Sequence, residues 1–576
     1  GSAPMRNAQL TTLLSLACLS SVLAEPVIAN GSFEENAPLL QNVKSEEITK
    51  TPTALALVEG KWFKGAWGCD GATDTACSFV ELPDAPSGKR VAQIDAKLNQ
   101  ISCFAYTLTG LTPGQWYEVS AMLRCDNTVG QGTFIQVEYW CKGYSSGTID
   151  SEHLVGTVPW TRAAVQFQAP GKEYNQILSC WQFGGPGKSW LDNVQIRKIA
   201  RPAEDLSKRR VLDAPFWGMF TCYARYLHQY GKDMKEAGVY WQRQGCSALA
   251  PEQQKVAADL GMAYEMCLDG MPAATDPKDP CYPLTTSKDY QAYVESCLKQ
   301  AGPTIGIWEV FNEPNTNVAW TLPGYANLLC LAGKTIKAAK PEAIFATGGF
   351  TSPEIGYTEA CLKRGADKYL DLVQCHPYGV DEVLDSRFVA FNAVFARCQR
   401  PDLALAVNET GFPTWDPATG CAPNDWFVSE KDQASKVVKL HIQALAHKLS
   451  FVTYLGWNDF TEVSDQARNM GLIRVDGSPK PSYYAYRFMT KTIGSRKVAT
   501  WTYQQDTGAR VYTFTGTKPL WMVWNALNDT DVVVDTGKTE VFVCDILGTK
   551  LTVKPESGKI TVKATQDPVY LVPVEN

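Results

Sequence analysis

Two glutamates stand at the ends of two apolar runs. Ile305 to Phe311 (IGIWEVF) leads into Asn312-Glu313-Pro314, and Leu403 to Val407 (LALAV) leads into Asn408-Glu409-Thr410. Two carboxyl groups facing one cleft have a definite competence. One, protonated, gives its proton to a departing oxygen, while the other, ionised, meets the positive charge that develops on carbon, as cleavage of a glycosidic bond demands. The runs read as strands, continuous in apolar residues as strands covered on both faces are. Glu313 and Glu409 lie 96 positions apart, so only a fold that gathers strand ends can make them a pair.

Such a fold is legible around them. From Ala214 to about Gly494 the predicted strands are Phe216 to Phe220, Val239 to Gln242, Ala263 to Leu268, Ile305 to Phe311, Ala343 to Thr347, Leu370 to Gln374, Leu403 to Val407 and Phe451 to Leu455. Helical patterns follow them, for example Asp289 to Lys299, Tyr325 to Ala339 and Lys431 to His447. Eight strand-helix units predict an α/β fold, a (β/α)8 TIM barrel, in which strands four and seven end across the mouth from one another. A doubly wound open sheet is the competing reading, but it has fewer units and a glycine-rich first turn that this chain lacks.

The flanks have another rhythm. Between Asn30 and about Lys198, period-two runs such as Trp116 to Met122 and Phe134 to Tyr139 alternate with turn residues, the pattern of an antiparallel sandwich. Arg201 to Arg210 is polar and reads as a linker. Strands return after Gly494, at Arg510 to Phe514, Leu520 to Trp524 and Glu540 to Cys544, predicting a small β-sandwich packed on the barrel. The expected division is a leader over 1–24, a sandwich over 25–200, a linker over 201–213, the barrel over 214–494 and a last sandwich over 495–576.

Met5 to Ala24 joins an early arginine, an apolar stretch and Val22-x-Ala24 ahead of Glu25, the pattern of a cleavable secretory leader; Gly1 to Pro4 read as a cloning remnant. Ser15-Leu16-Ala17 before Cys18 makes a poor lipoprotein signal. No later segment approaches the roughly 20 apolar residues of a spanning helix, so a soluble, exported protein is expected. The net charge of -6 lacks the concentrated Lys and Arg that would recruit nucleic acid or an anionic membrane. A carbohydrate substrate and a monomer are the expected state.

Six cysteines fall between Cys69 and Cys180, ten between Cys222 and Cys421, and Cys544 stands alone. In an oxidising compartment the even blocks predict disulfides, with Cys281 and Cys421 pinning the long segments after strands three and seven, and Cys544 a buried thiol. There is no CxxC, and none of the five histidines is spaced with cysteine for zinc.

Trp308-Glu309-Val310-Phe311-Asn312-Glu313-Pro314-Asn315 resembles the acid/base segment of the retaining glycoside hydrolases of clan A, nearest in wording to their family 39, and Val407-Asn408-Glu409-Thr410-Gly411 resembles their nucleophile segment. The resemblance covers about half the chain. It implies that Glu313 is the acid/base and Glu409 the nucleophile, with Asn312 on the sugar 2-hydroxyl. Arg243, just past strand two, matches an arginine that steadies the nucleophile. His376 and Tyr378, after strand six, match an aromatic pair around nucleophile and sugar, and Trp457, after strand eight, matches a platform beneath the sugar. Glu309 has no assigned part.

Asn30-Gly31-Ser32-Phe33-Glu34 and Ser189-Trp190-Leu191-Asp192-Asn193-Val194 bracket the first sandwich and resemble the jelly-roll carbohydrate-binding modules of families 4, 9 and 22. That resemblance implies sugar binding and a structural calcium, for which Glu34 and Asp192 would supply oxygen ligands. Trp62, Trp67, Trp140 and Trp181 are candidate stacking surfaces, with core packing or a brace for the barrel as the alternative.

Together these readings predict a secreted retaining β-glycoside hydrolase that needs no cofactor for chemistry. They place the carboxylates about 5 to 5.5 Å apart and hold Glu313 protonated at rest. The alternatives are a non-catalytic carbohydrate-binding protein, and a transglycosylase or phosphorylase on the same scaffold.

Overall fold

Short apolar runs covered on both faces form the staves of a closed parallel barrel. The computed structural model describes residues 25–35, 40–41, 61–68, 76–97, 99–141, 144–171, 174–244, 251–269, 272–415, 427–460, 469–516 and 518–574. The leader expected over 1–24, and Cys69, Cys246 and Cys421, lie outside them.

The strands are β1 (Trp217–Cys222), β2 (Trp241–Gln244), β3 (Ala263–Leu268), β4 (Ile305–Val310), β5 (Ile344–Thr347), β6 (Leu372–Cys375), β7 (Ala404–Thr410) and β8 (Val452–Leu455). Each pairs in parallel with the next, and β1 closes on β8 with Trp217 opposite Val452 and Phe220 opposite Leu455. The helices are α1 (Ala224–Glu236), α2 (Pro251–Asp259), α3 (Ser287–Gln300), α4 (Leu322–Ala339), α5 (Ile355–Lys363), α6 (Leu384–Arg397), α7 (Glu430–Ala446) and α8 (Pro481–Ile493). Thr286, Thr321 and Ser429 start α3, α4 and α7 by accepting the N–H of Asp289, Gly324 and Asp432 on their side chains, which satisfies otherwise orphaned helix donors.

Alternation along each strand sorts the barrel interior into layers. Trp241, Ala263, Ile307, Ala346, Leu372, Ala404, Ala406 and Phe451 pack in one apolar cluster. Two residues further along β2, β3, β4, β6 and β7 come Arg243, Glu265, Glu309, Gln374 and Asn408, all buried. Because side chains repeat every second residue on a strand face, the apolar floor of the barrel carries a polar layer at its C-terminal end.

The N-terminal part is an antiparallel ten-stranded sheet folded on itself. Its central strand, Trp116–Cys141, is 26 residues long. The first half pairs with Leu154–Gln168 and Gly187–Ile199, the second with Tyr144–Asp150 and Asn175–Phe183, with the register shifting between Cys125 and Thr133. At the other end of the chain a six-stranded sheet packs Trp521, Val523, Val541 and Leu571 against Val532, Val534, Ile560 and Val562 of a two-stranded one.

The cysteines depart from expectation. Cys125, Cys180, Cys281, Cys297, Cys330, Cys361, Cys375, Cys398 and Cys544 are thiols joined in no disulfide. They occupy core positions as small apolar side chains; burial pushes the Cys281 thiol up to about 12, and Cys281 pins no loop. Cys544 is the buried thiol expected. No helix among the described residues is long and apolar enough to cross a membrane.

One buried acid ties the three parts together. Asp385 of α6 accepts Nη1 and Nη2 of Arg201, from the linker, at 2.5 and 3.0 Å and meets His447 Nε2 at 2.7 Å and Arg510 Nη1, from the last sheet, at 3.7 Å. The Arg201 guanidinium lies between the rings of Trp116 and Trp501, at 5.3 and 4.6 Å from their centroids. Burial disfavours the ionised Asp385, but the charges of Arg201, Arg510 and His447 hold it far below the usual carboxylate range. Removing one partner of a buried ion pair leaves the others uncompensated. Asp385→Ala is therefore expected to lower the unfolding free energy by about 3 to 5 kcal/mol in urea denaturation; a change below about 1 kcal/mol would show that the junction is not holding the lobes.

Candidate active site

Both glutamates reach the C-terminal mouth of the barrel by different routes. Glu409 is the last residue but one of β7. Glu313 lies three residues beyond β4, on a turn where Phe311 and Glu313 take φ of 60° and 46°, a left-handed conformation that costs non-glycine residues about 1 to 3 kcal/mol and clusters at functional sites. The turn is held from both sides. Glu313 N–H donates to Gly349 O at 3.0 Å, and Glu313 O accepts the N–H and hydroxyl of Thr316 at 3.1 and 2.9 Å.

There the carboxylates converge. One oxygen of Glu313, one of Glu409 and a ring nitrogen of His376 lie within 4.8 Å of one another. His376, just past β6 and fully buried, presents Nδ1 to Glu313 Oε1 at 2.8 Å. Glu409 accepts Arg243 Nη1 at 2.6 Å on one oxygen and the Tyr378 hydroxyl at 2.7 Å on the other. The Glu313 and Glu409 side chains keep 26% and 13% of their exposure, so both open into the cleft. The trio has the spread of a divalent-cation site, but the Arg243 guanidinium on Glu409 opposes a second cation there.

Arg243 is the hub. Its Nε and Nη2 grip both oxygens of Glu309 at 3.0 and 2.8 Å, Nη2 also donates to Asn312 Oδ1 at 2.8 Å, and the guanidinium lies 5.0 Å from the Phe220 ring centroid. Burial alone would lower its hold on the proton, but the charges of Glu309 and Glu409 outweigh this and raise it well above its ordinary range. Thus Arg243 and Tyr378 meet Glu409, His376 meets Glu313, and Asn312 meets Arg243.

Two expectations need correction. Trp457 is 0% exposed and packs edge-on against Tyr483 and Tyr486 at 5.6 and 6.2 Å, so it offers no face to the cleft. Its strand-end position does not distinguish a platform from a core ring. Glu313 is not held protonated: burial pushes its carboxyl up, but the His376 hydrogen bond and the charges of His376 and Arg243 overcome this and hold it below its ordinary value. The carboxyl pushed well up at this end of the barrel is instead that of Glu265, raised by burial and by the charge of Glu309.

Glu34 and Asp192 do converge, on the turn 87–90. Glu34 Oε1 accepts the N–H of Lys89 and Arg90 at 2.8 and 2.7 Å, and Asp192 accepts those of Ser87 and Asn193 at 2.7 and 2.6 Å. Among the described residues no third His, Cys, Asp or Glu joins them as a ligand cluster. The pair fits a hydrogen-bonded turn clamp better than the six to eight oxygens calcium takes. Trp62 is core, against Phe33 and Tyr106. Trp140 and Trp181 are half-buried beside Phe63, Cys103, Ala105 and Ile177, and the Trp67 side chain lies outside the described residues.

Glu309, Glu265, Gln374, Asn408 and Gly349 were not legible as site residues. Glu265 Oε1 accepts Gln374 Nε2, and Asn408 Nδ2 at 3.1 Å. A signal existed for Glu309 and Glu265, each a lone acid two residues beyond an inward-facing apolar side chain. Gly349 carried none. A Cβ there would stand 1.9 Å from His376 Nε2 and 2.6 Å from Asn408 Oδ1, while its N–H donates to Glu309 Oε1 at 3.0 Å. Gly349→Ala is expected to displace His376 and cost about 1 to 3 kcal/mol of stability by overpacking; unchanged stability in urea denaturation would mean that His376 yields freely.

No family profile matches the chain. A curated beta-xylosidase of Caldicellulosiruptor saccharolyticus is 27% identical over 213 residues, which is 33% of this chain and 42% of that protein. The chain thus spans less than half the length of that relative. Among solved structures, a family 39 glycoside hydrolase from the gut symbiont Bacteroides cellulosilyticus WH2 matches with a TM-score of 0.50 at 15% identity, covering 81% of this chain and 96% of that one. The wording around Glu313, the aligned stretch and the shared fold agree: this chain resembles the family 39-like glycoside hydrolases of clan A.

Proposed function

We propose that this protein is a secreted glycoside hydrolase that cleaves β-linked oligosaccharides or polysaccharides with retention of configuration. The observation that carries the reading is the pair of carboxylates within 4.8 Å at the barrel mouth, with unlike partners. Glu409, oriented by Arg243 and Tyr378, attacks the anomeric carbon, and Glu313 protonates the departing oxygen. Forming the glycosyl ester cancels the negative charge on Glu409. Glu313 then ionises more readily and serves as base toward the water that releases the sugar. Arg243 keeps its counter-charge on Glu309 throughout, so losing the Glu409 charge leaves no unpaired cation. Export rests on the leader pattern of residues 5–24.

The substrate class follows from chemistry and the relative's name follows only as a first choice for the panel. Aryl β-xylosides and xylo-oligosaccharides head a set of β-linked sugars incubated with the protein and with Glu313→Ala and Glu409→Ala. Release of sugar is expected from the parent, with a loss in Glu409→Ala of more than about 1000-fold. Product whose anomeric configuration is inverted, seen by NMR early in the reaction, would overturn the retaining reading, and binding without release would move it to a carbohydrate-binding protein.

The free protein holds Glu313 below its ordinary value through His376, yet the first step needs its proton. Activity must therefore fall as pH rises through the folded value of Glu313. His376→Ala removes the main influence lowering it, so the alkaline limb of kcat/KM should move to higher pH even as the maximum falls. A limb that stays in place or moves down would show that another group supplies the proton.

A further inference from the structure

We infer that Gln131 of the N-terminal sheet is a positioning residue for Glu313, an inference that rests on reading Glu313 as the acid/base. The sandwich grips the acid/base loop from outside the barrel. Gln131, fully buried in the long strand Trp116–Cys141, donates from Nε2 to Asn317 O at 3.2 Å. The same carbonyl accepts Trp320 N–H at 3.0 Å, and between Asn317 and Glu313 the chain is the tight turn closed by Thr316 on Glu313 O. Gly184 meets this loop too. With φ at 87° and a would-be Cβ 3.3 Å from Val318 O, this approach needs glycine. A turn that keeps Glu313 at a left-handed φ depends on such outside support.

Gln131 is itself fixed. Its backbone carbonyl accepts His153 Nδ1 at 2.9 Å, His153 Nε2 meets Asp150 Oδ2 at 3.0 Å, and the imidazole is stacked on Phe134 with centroids 3.8 Å apart. Asp150 in turn accepts the N–H of Ile355 and Gly356, the first residues of α5, at 3.1 and 2.7 Å. A buried fixture therefore runs from α5 of the barrel through Asp150, His153 and Gln131 and back to the loop after β4. Nothing in it touches the reacting atoms. Its effect is on where the Glu313 carboxyl stands, and a misplacement of about 1 Å can cost a reaction about 100-fold.

Only steps that need a proton from Glu313 should notice. The test measures kcat/KM of the full-length parent, Gln131→Met, Gln131→Asn and Glu313→Ala on two β-glycosides of the sugar released from the panel. The dinitrophenyl glycoside has a leaving group that departs without a proton, and the methyl glycoside has one that does not. Gln131→Met keeps volume without a donor, and Gln131→Asn keeps polarity but falls short of Asn317. Both are expected to lose about tenfold on the methyl glycoside and less than about twofold on the dinitrophenyl glycoside, with Glu313→Ala selective in the same sense and more strongly. If Glu313→Ala is selective while the Gln131 variants lose equally on both substrates, or on neither, the positioning inference is overturned alone. If Glu313→Ala shows no selectivity, the acid/base reading falls and takes the inference with it.

Discussion

A guanidinium buried inside an eight-stranded barrel sets the terms for everything at its C-terminal mouth. A charge taken out of water costs several kcal/mol unless it is paired and its hydrogen bonds are met. Arg243 meets that condition through Glu309, which takes two of its nitrogens, and extends a third to Glu409. Glu309 has no exposure and no other evident task than to hold this cation and the Gly349 amide. Glu265, in the same buried layer, is pushed well above the ordinary carboxylate range by burial and by the charge of Glu309, and bonds to Gln374 and Asn408. The cation that orients Glu409 at the mouth is thus itself fixed by a carboxylate on the strand beneath it.

Much of this was open to reading in the chain. All eight barrel strands follow from apolar runs at regular spacing, because strands covered on both faces leave no polar side chains in the run except where a layer needs them. Glu313 and Glu409 were found because strand ends four and seven must face each other in that fold. Arg243, His376 and Tyr378 came from the resemblance to the clan, which their places after strands matched. What local pattern does not carry is the direction in which a residue faces and the company it finds there. Glu309 and Trp457 show this from opposite sides: the acid in mid-strand proved central, and the ring at the strand end proved to be core. The ionisation of Glu313 depends on a histidine 63 positions away, and the thiols on geometry that no count of cysteines contains.

The flanking sheets were legible as sheets but not as parts of the site. Gln131 and Asn317 are separated by 186 residues, and no periodicity links them. The reason for their meeting lies in the length of one strand, which starts beside the linker arginine at Trp116 and passes the loop after β4 midway, at Gln131. It makes the sandwich a wall of the barrel more than a separate module.

The junction at Asp385 also orders events in time. Its partners come from the linker at Arg201, from α7 at His447 and from the last sheet at Arg510. During synthesis the N-terminal sheet is complete in sequence by residue 199, yet its supports in the barrel emerge later, and the final cation more than 300 residues after it. The nascent sheet therefore leaves the ribosome with its docking edge, Gln131 to His153, facing water. Domains fold in order as they emerge, so the docking edge waits for Asn317 and Ile355 of the barrel, and the junction at Asp385 stays incomplete until Arg510 has followed.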